Sequence, residues 1–351
     1  MGSRFHQRRF LRKVSYFEAR KLVHSHVSVH VLSGFRSQTL REAVKFVSKF
    51  AAHLIAYSTG FVEHAYLPLI GIEFFEKMQG VTMNETQPSS DNPKFLLAEM
   101  TLAEVRKADF QVAVLPFGAT EPHNLHLPYG TDNFEAECIG REACLRASKK
   151  GAKVVLLPTI PYGTEGNLAA FPLAMNLQPS TVMKIVEDLV QTLSKSGIRK
   201  LLLLNGHGGN ELKPVIRELY GKTDVQLFLC NWFQMVRDAA ATIFDVSDDH
   251  AGEMETSLIL AFRPELVAIN ADQTLKADLG ETRPFRFQAL QKGWVGVTRP
   301  WHLLTTNSGS GNPHAATVEK GVRLMEVICE RLTPFLVQLS SEPIDESFPF
   351  E

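Results

Sequence analysis

The chain has 351 residues, 44% of them apolar and 21% charged, with 37 Lys and Arg against 38 Asp and Glu. That size suits one large globular domain or two small ones, and the near-zero net charge gives no sign of a nucleic-acid or anionic-membrane partner. Four cysteines without a C-x-x-C pair exclude a disulfide framework and point to reduced thiols in a cytoplasmic protein; no apolar run reaches the ~18 residues of a membrane-spanning helix.

The average hides a division. Residues 1–82 hold 12 Lys and Arg against 5 Asp and Glu, whereas the remaining 269 residues hold 25 against 33. The first stretch mixes basic segments (RFHQRRFLRK) with amphipathic ones (LREAVKFVSKFAAHLIAY). Three readings compete for this basic N-terminal extension: a transit peptide, a membrane-surface helical segment, or residues upstream of a natural start at Met83. It carries no catalytic motif, and its six scattered His are read as surface or packing residues. A polar, Pro- and Ser-containing segment, MNETQPSSDNP, marks a linker over 83–94.

From residue 95 the pattern is regular. LAEMTLAEVRKAD reads as a helix with Thr101 as N-cap and Glu104 at the capping-box position. FQVAVLPFG (110–118) is a buried strand, and residues 133–151 form a helix ending at a Gly. AKVVLLPTIPYG is a second strand. Residues 179–197 form an amphipathic helix with Ser180 as candidate cap and Gly197 as stop. IRKLLLLNGHGG is a third strand, NELKPVIRELYGK a helix and VQLFLCNWF a fourth strand. EMETSLILAF (253–262) and residues 316–339 are further helices. Buried strands alternating with helices imply an α/β fold with a mostly parallel sheet covered on both faces. Chemistry in such sheets sits beyond the carboxyl ends of the strands.

Three polar motifs fall at those places. GATEPHNLHLPYGTD (118–132) follows the first strand. Glu121 and His123 stand two apart, so in extended chain both leave the same face. Asp132 returns after a Pro/Gly loop, where a carboxylate can bridge two cations. LLLLNGHGGN (201–210) places His207 in a Gly-rich turn after the third strand. A phosphate cradle is the competing reading there, but the turn lacks the Walker Lys-Ser/Thr and the G-x-G-x-x-G spacing. HAGEMET (250–256) brings His250, Glu253 and Glu255 to the start of a helix. Imidazole and carboxylate donors without thiolate suit Zn²⁺, Mn²⁺ or Fe²⁺. His126 is a candidate for fixing the orientation of a metal ligand, and Tyr162, Glu165, Trp232 and Phe233 are pocket candidates; for His126, Trp232 and Phe233 a packing role is the competing reading.

These motifs, with HAGEMETS and the late GSGNPHAATVEKG segment, resemble the creatininase (creatinine amidohydrolase) family over roughly residues 95–340. The resemblance implies a creatininase-like layered domain over 95–345, a binuclear metal centre, and a homo-oligomer such as a hexamer built from dimers. It implies that Glu121, Asp132 and His207 hold one metal and that His123 and Asp132 hold the other. In creatininase itself the second metal also takes a Glu two residues after the middle-motif His; here that place is Gly209. Glu253 is the favoured replacement because it lies three residues beyond His250, with Glu255 in a catalytic or supporting role, or the reverse. Residues two apart on a helix point about 200° apart, so both face the metals only if the helix begins between them. His250 is the candidate proton shuttle. Creatininase also places a Trp shortly before the third-motif His, and here Val246 stands there. Together these departures argue against creatinine and for another small cyclic or linear amide. The competing functions are a mononuclear-iron enzyme using His123, His207 and Asp132, and a non-catalytic metal-binding relative.

Overall fold

The computed structural model describes residues 94–246 and 250–351. The readings of 1–82 and of nearly all the linker lie outside the described residues. In chain order the elements are α1 (Leu102–Val105), β1 (Val112–Phe117), α2 (Thr131–Lys149), β2 (Val154–Leu156), α3 (Pro179–Lys195), β3 (Lys200–Asn205), α4 (Lys213–Leu219) and β4 (Gln226–Asn231). Then follow α5 (Trp232–Met235), α6 (Arg237–Ile243), α7 (Glu253–Phe262), α8 (Gln288–Gln291), α9 (Trp301–Leu304) and α10 (Val318–Ser341).

The four strands form one parallel sheet in the order β2-β1-β3-β4. Every residue of β1 and β3 is buried, as continuous apolar runs require when both faces are covered. Alternate residues serve opposite faces. Val112, Val114, Leu202 and Leu204 pack against Ile139 of α2 and Leu324, Ile328 and Leu332 of α10. Ala113, Leu115, Leu201 and Leu203 pack against Val182, Val186 and Val190 of α3 and Val215 of α4. The result is a three-layer helix–sheet–helix sandwich, in which each fully buried Leu contributes about 1.5–3 kcal/mol of transfer free energy.

Local signals set the element ends. Thr101 and Glu104 form the expected capping box, although the helix it opens is only four residues long. Gly197 has a positive φ of 79°, consistent with a helix stop. Ser180 is not the cap of α3. Pro179 occupies the first helical position, where its fixed φ is already helical, so Gln178 is the N-cap and the helix starts two residues earlier than a Ser180 cap would have it. The fourth strand ends at Asn231, and Trp232 begins a helical turn. No helix among the described residues is long and apolar enough to cross a membrane.

Residues 263–315 carry only short elements and had no assignment from periodicity. They are tied to the motif loops by backbone bonds. His250 pairs with Ser310, and Ala268 N–H donates to His126 O at 2.8 Å. Ser308 Oγ accepts from Asn124 N–H at 3.0 Å and donates to Pro122 O at 2.8 Å.

Candidate metal centre

The loops after β1 and β3 and the start of α7 meet at one end of the sheet. Asp132 is the second residue of α2 and is fully buried. Its Oδ1 lies 3.0 Å from His123 Nε2, and its Oδ2 lies 3.1 Å from His207 Nδ1. Glu121 Oε1 lies 3.2 Å from His207 Nδ1 and 3.6 Å from His250 Nδ1. Glu255 Oε2 lies 3.8 Å from His123 Nε2. Among the described residues three donor groups therefore form, each with its atoms within 4.8 Å of one another: Glu121–Asp132–His207, His123–Asp132–Glu255 and Glu121–His123–His250.

The second nitrogen of each imidazole faces a backbone carbonyl. His123 Nδ1 is 3.0 Å from Glu121 O, and His250 Nε2 is 2.9 Å from Pro122 O. His207 Nε2 sits 3.5 Å from Thr164 O. An N–H donated to each carbonyl leaves the other nitrogen's lone pair aimed at the carboxylates, the usual arrangement of a metal-binding His. Two asparagines brace the middle motif. Asn205 Nδ2 donates to His207 O at 2.8 Å, and Asn210 Nδ2 donates to Gly118 O at 3.0 Å, tying the β3 loop to the β1 loop.

Two buried carboxylates, Glu121 and Asp132, with the half-buried Glu255 beside them, repel one another unless cations stand between them. Burial opposes charge on His123, yet Asp132 beside it raises its pKa to about 10. Burial likewise opposes charge on His207, and Glu121 and Asp132 push it well above its ordinary value. Asp132 is drawn down by the same imidazoles despite its burial. Burial lifts Glu255 to about 7. His250 is lowered by burial and by the neighbouring His123. Glu121 Oε2 is buried without a hydrogen-bond partner. A set of imidazole and carboxylate donors with an orphaned oxygen and a demand for positive charge fits divalent cations.

Glu253 does not join this set, which corrects the sequence expectation. Its Oε2 accepts from Asp245 N–H at 2.9 Å, and its Oε1 pairs with Lys320 of α10. Because α7 begins at Glu253, the helical rotation carries Glu255, not Glu253, round to the cluster. Ala251 makes the approach possible. Its φ of 50° turns the chain sharply after His250, and its N–H donates to Glu255 Oε2 at 2.6 Å.

Gly209 leaves no room for a Glu at this place. A Cβ would lie 2.4 Å from His207 Nε2 and 2.5 Å from Thr164 O. Of the pocket candidates, Phe233 lines the cavity, while Trp232 is a core aromatic. Tyr162 is exposed. His126 is buried outside the cluster, 2.8 Å from Thr256 Oγ1 of α7, and burial lowers its pKa to about 4. Sequence reading missed Trp301, whose ring meets His250 edge-on at 5.0 Å, and Arg237 and Arg299, which line the same cavity. The PW pair at 300–301 stood in an unperiodic stretch, so no local pattern pointed to the site.

The family model for creatinine amidohydrolase, Creatininase, matches residues 98–336. A provisionally named creatinine amidohydrolase of Bacteroides fragilis NCTC 9343 has a crystal structure superposing with a TM-score of 0.67. It is 37% identical and covers 73% of this chain and 100% of its own. A mycofactocin precursor peptide peptidase of Mycobacterium ulcerans (strain Agy99) is 27% identical over 60% of this chain and 78% of its own length. A creatinine amidohydrolase of Pseudomonas putida is 28% identical over 45% of this chain and 67% of its own. With more than half of its length matched to the family model and with the parallel layered fold in common, the chain belongs to the creatininase family of hydrolases.

Proposed function

We propose that this protein hydrolyses a C–N amide bond of a small cyclic or linear amide other than creatinine, with two divalent cations, Zn²⁺ or Mn²⁺, at the cluster. The observation that carries the reading is Asp132, whose two oxygens face two different imidazoles, His123 and His207. One carboxylate divided in this way suits a bridging role. Glu121 and His207 complete one donor set; His123 and Glu255 complete the other. When bound, the two cations supply a water nucleophile at neutral pH and polarise the amide carbonyl.

The chain's own groups do the rest. His250 lines the cavity with Nε2 anchored on Pro122 O and Nδ1 turned toward Glu121. In that position it takes a proton from the attacking water and returns it to the departing nitrogen. Trp301, edge-on to His250, fixes the ring and supplies the aromatic wall that Val246 does not. Membership of a hydrolase family whose relatives include an amidohydrolase and a peptidase supports the bond type. We extend to this chain the homo-oligomer implied by the resemblance and the cytoplasmic location implied by its unpaired cysteines, which light scattering and fractionation check.

Elemental analysis of purified protein, followed by chelation and a panel of lactams, formamides and short peptides with Zn²⁺ or Mn²⁺ restored, tests the reading. We expect about two equivalents of metal per active chain and metal-dependent turnover. A single iron per active chain would favour the mononuclear alternative.

A further inference from the structure

The donor cluster forms the buried end of a cavity of about 910 Å³, near the upper end of the ~300–1,000 Å³ usual for small-molecule sites. A ring the size of creatinine fills a small part of it. Beyond the cluster the walls are apolar, from Phe233, Phe244, Met254 and Trp301. Two guanidinium groups, Arg237 and Arg299, also line this space.

Their surroundings differ. Arg299 stacks on Trp301 at 5.0 Å. Arg237, the first residue of α6, is exposed and has no hydrogen bond or ion pair among the described residues. Among the described residues, the acids in α6 and in the stretch from its end to the start of α7 are already engaged. Asp238 is held by Arg331 through two bonds of 2.6 and 2.8 Å. Asp245 pairs with Lys320 at 3.1 Å, and Glu253 pairs with the same ammonium. Among the described residues Arg237 is thus a fork of donors without a counter-charge, in a cavity with apolar walls, a geometry suited to two oxygens of a carboxylate or phosphate.

We propose that the substrate is an amide carrying an anionic group, a carboxylate or a phosphate monoester, remote from the scissile bond, and that Arg237 binds this group and so determines specificity. The proposal takes the place of the scissile bond from the hydrolase reading. The anion site itself is a claim about binding and is tested without turnover.

The experiment is calorimetric titration of the metal-loaded full chain with phenylacetate, benzylphosphonate and the neutral phenylacetamide, on wild type, Arg237→Gln and Arg237→Lys. Thermal melts confirm that the exposed substitutions leave the fold intact. We expect an anionic probe to bind at least about tenfold tighter than phenylacetamide, with most of that preference lost in Arg237→Gln and partly kept in Arg237→Lys. A stronger phosphonate response identifies a phosphate ester, and a stronger carboxylate response identifies a free acid. Equal binding of charged and neutral probes, or a full preference surviving in Arg237→Gln, overturns the proposal. Turnover of N-formylphenylalanine and its carboxamide is read alongside. Hydrolysis of both at equal rates, indifferent to Arg237, overturns the anion site and keeps the hydrolase reading. Anion-selective binding with no hydrolysis of any amide keeps the anion site and overturns the hydrolase.

Discussion

Glu165 is fully buried, with one oxygen on Gly163 N–H at 2.9 Å and the other without a partner. Burial pushes its pKa up from 4.5 to about 7. A carboxyl whose folded pKa is raised holds its proton more tightly when folded. Its effect on stability is therefore most favourable below about pH 4.5 and is lost as pH rises to about 7. Glu165→Gln should remove this dependence. Urea unfolding with chelator present should show the variant gaining about 2–3 kcal/mol on wild type between about pH 5 and about pH 8; parallel curves would show that Glu165 titrates normally. Asp132→Ala should abolish both metals at once, since one side chain serves both donor sets, and retention of full metal content by elemental analysis would count against bridging. Glu255→Gln should lower metal content. Glu253→Gln should leave it intact and cost about 2 kcal/mol or more, because it strips Lys320 of a buried partner. The strand-end motifs named five of the clustered residues, Glu121, His123, Asp132, His207 and His250, because each lies within a few residues of a backbone turn. Choosing between Glu253 and Glu255 needed Ala251's left-handed φ and a lysine 67 residues away, neither of which leaves a local signal.

At the level of elements, α7 and α10 meet at a glycine. A Cβ on Gly321 would lie 2.0 Å from Ser257 O, so the two helices touch backbone to backbone. Gly321→Ala must force them apart and should cost about 3 kcal/mol, read as a lowered denaturant midpoint. Because α7 carries Glu255, the same change should weaken metal retention. The long helices and buried strands were legible in the sequence from periodicity and apolar runs; the long helices' ends fell within two residues, whereas β2 stops at Leu156 rather than Gly163 and β3 at Asn205 rather than Gly209. The α3 start was misplaced because Pro179 outcompeted the side-chain cap at Ser180. Residues 263–315 carry no periodicity; contacts with Pro122, Asn124, His126 and His250 fix their course, and a local pattern cannot encode such contacts.

Across the whole molecule, the described residues from 94 onward contain both faces of the core and every member of the donor cluster. A chain shortened to begin at Met83 should therefore unfold at the same denaturant concentration as the full chain and bind the same number of metal ions. Insolubility, or a lowered midpoint, would give residues 1–82 a structural role. The order in which the donors enter this molecule has a consequence for its biosynthesis. Glu255 is carried on a helix that packs on α10, whose Lys320 also neutralises Glu253. During translation the first four donors emerge long before that brace exists. A half-made chain thus displays carboxylates and imidazoles that lack their closing wall. The proposed His123–Asp132–Glu255 set is therefore expected to close only after α10 has left the ribosome, whereas the Glu121–Asp132–His207 set needs no residue beyond 207.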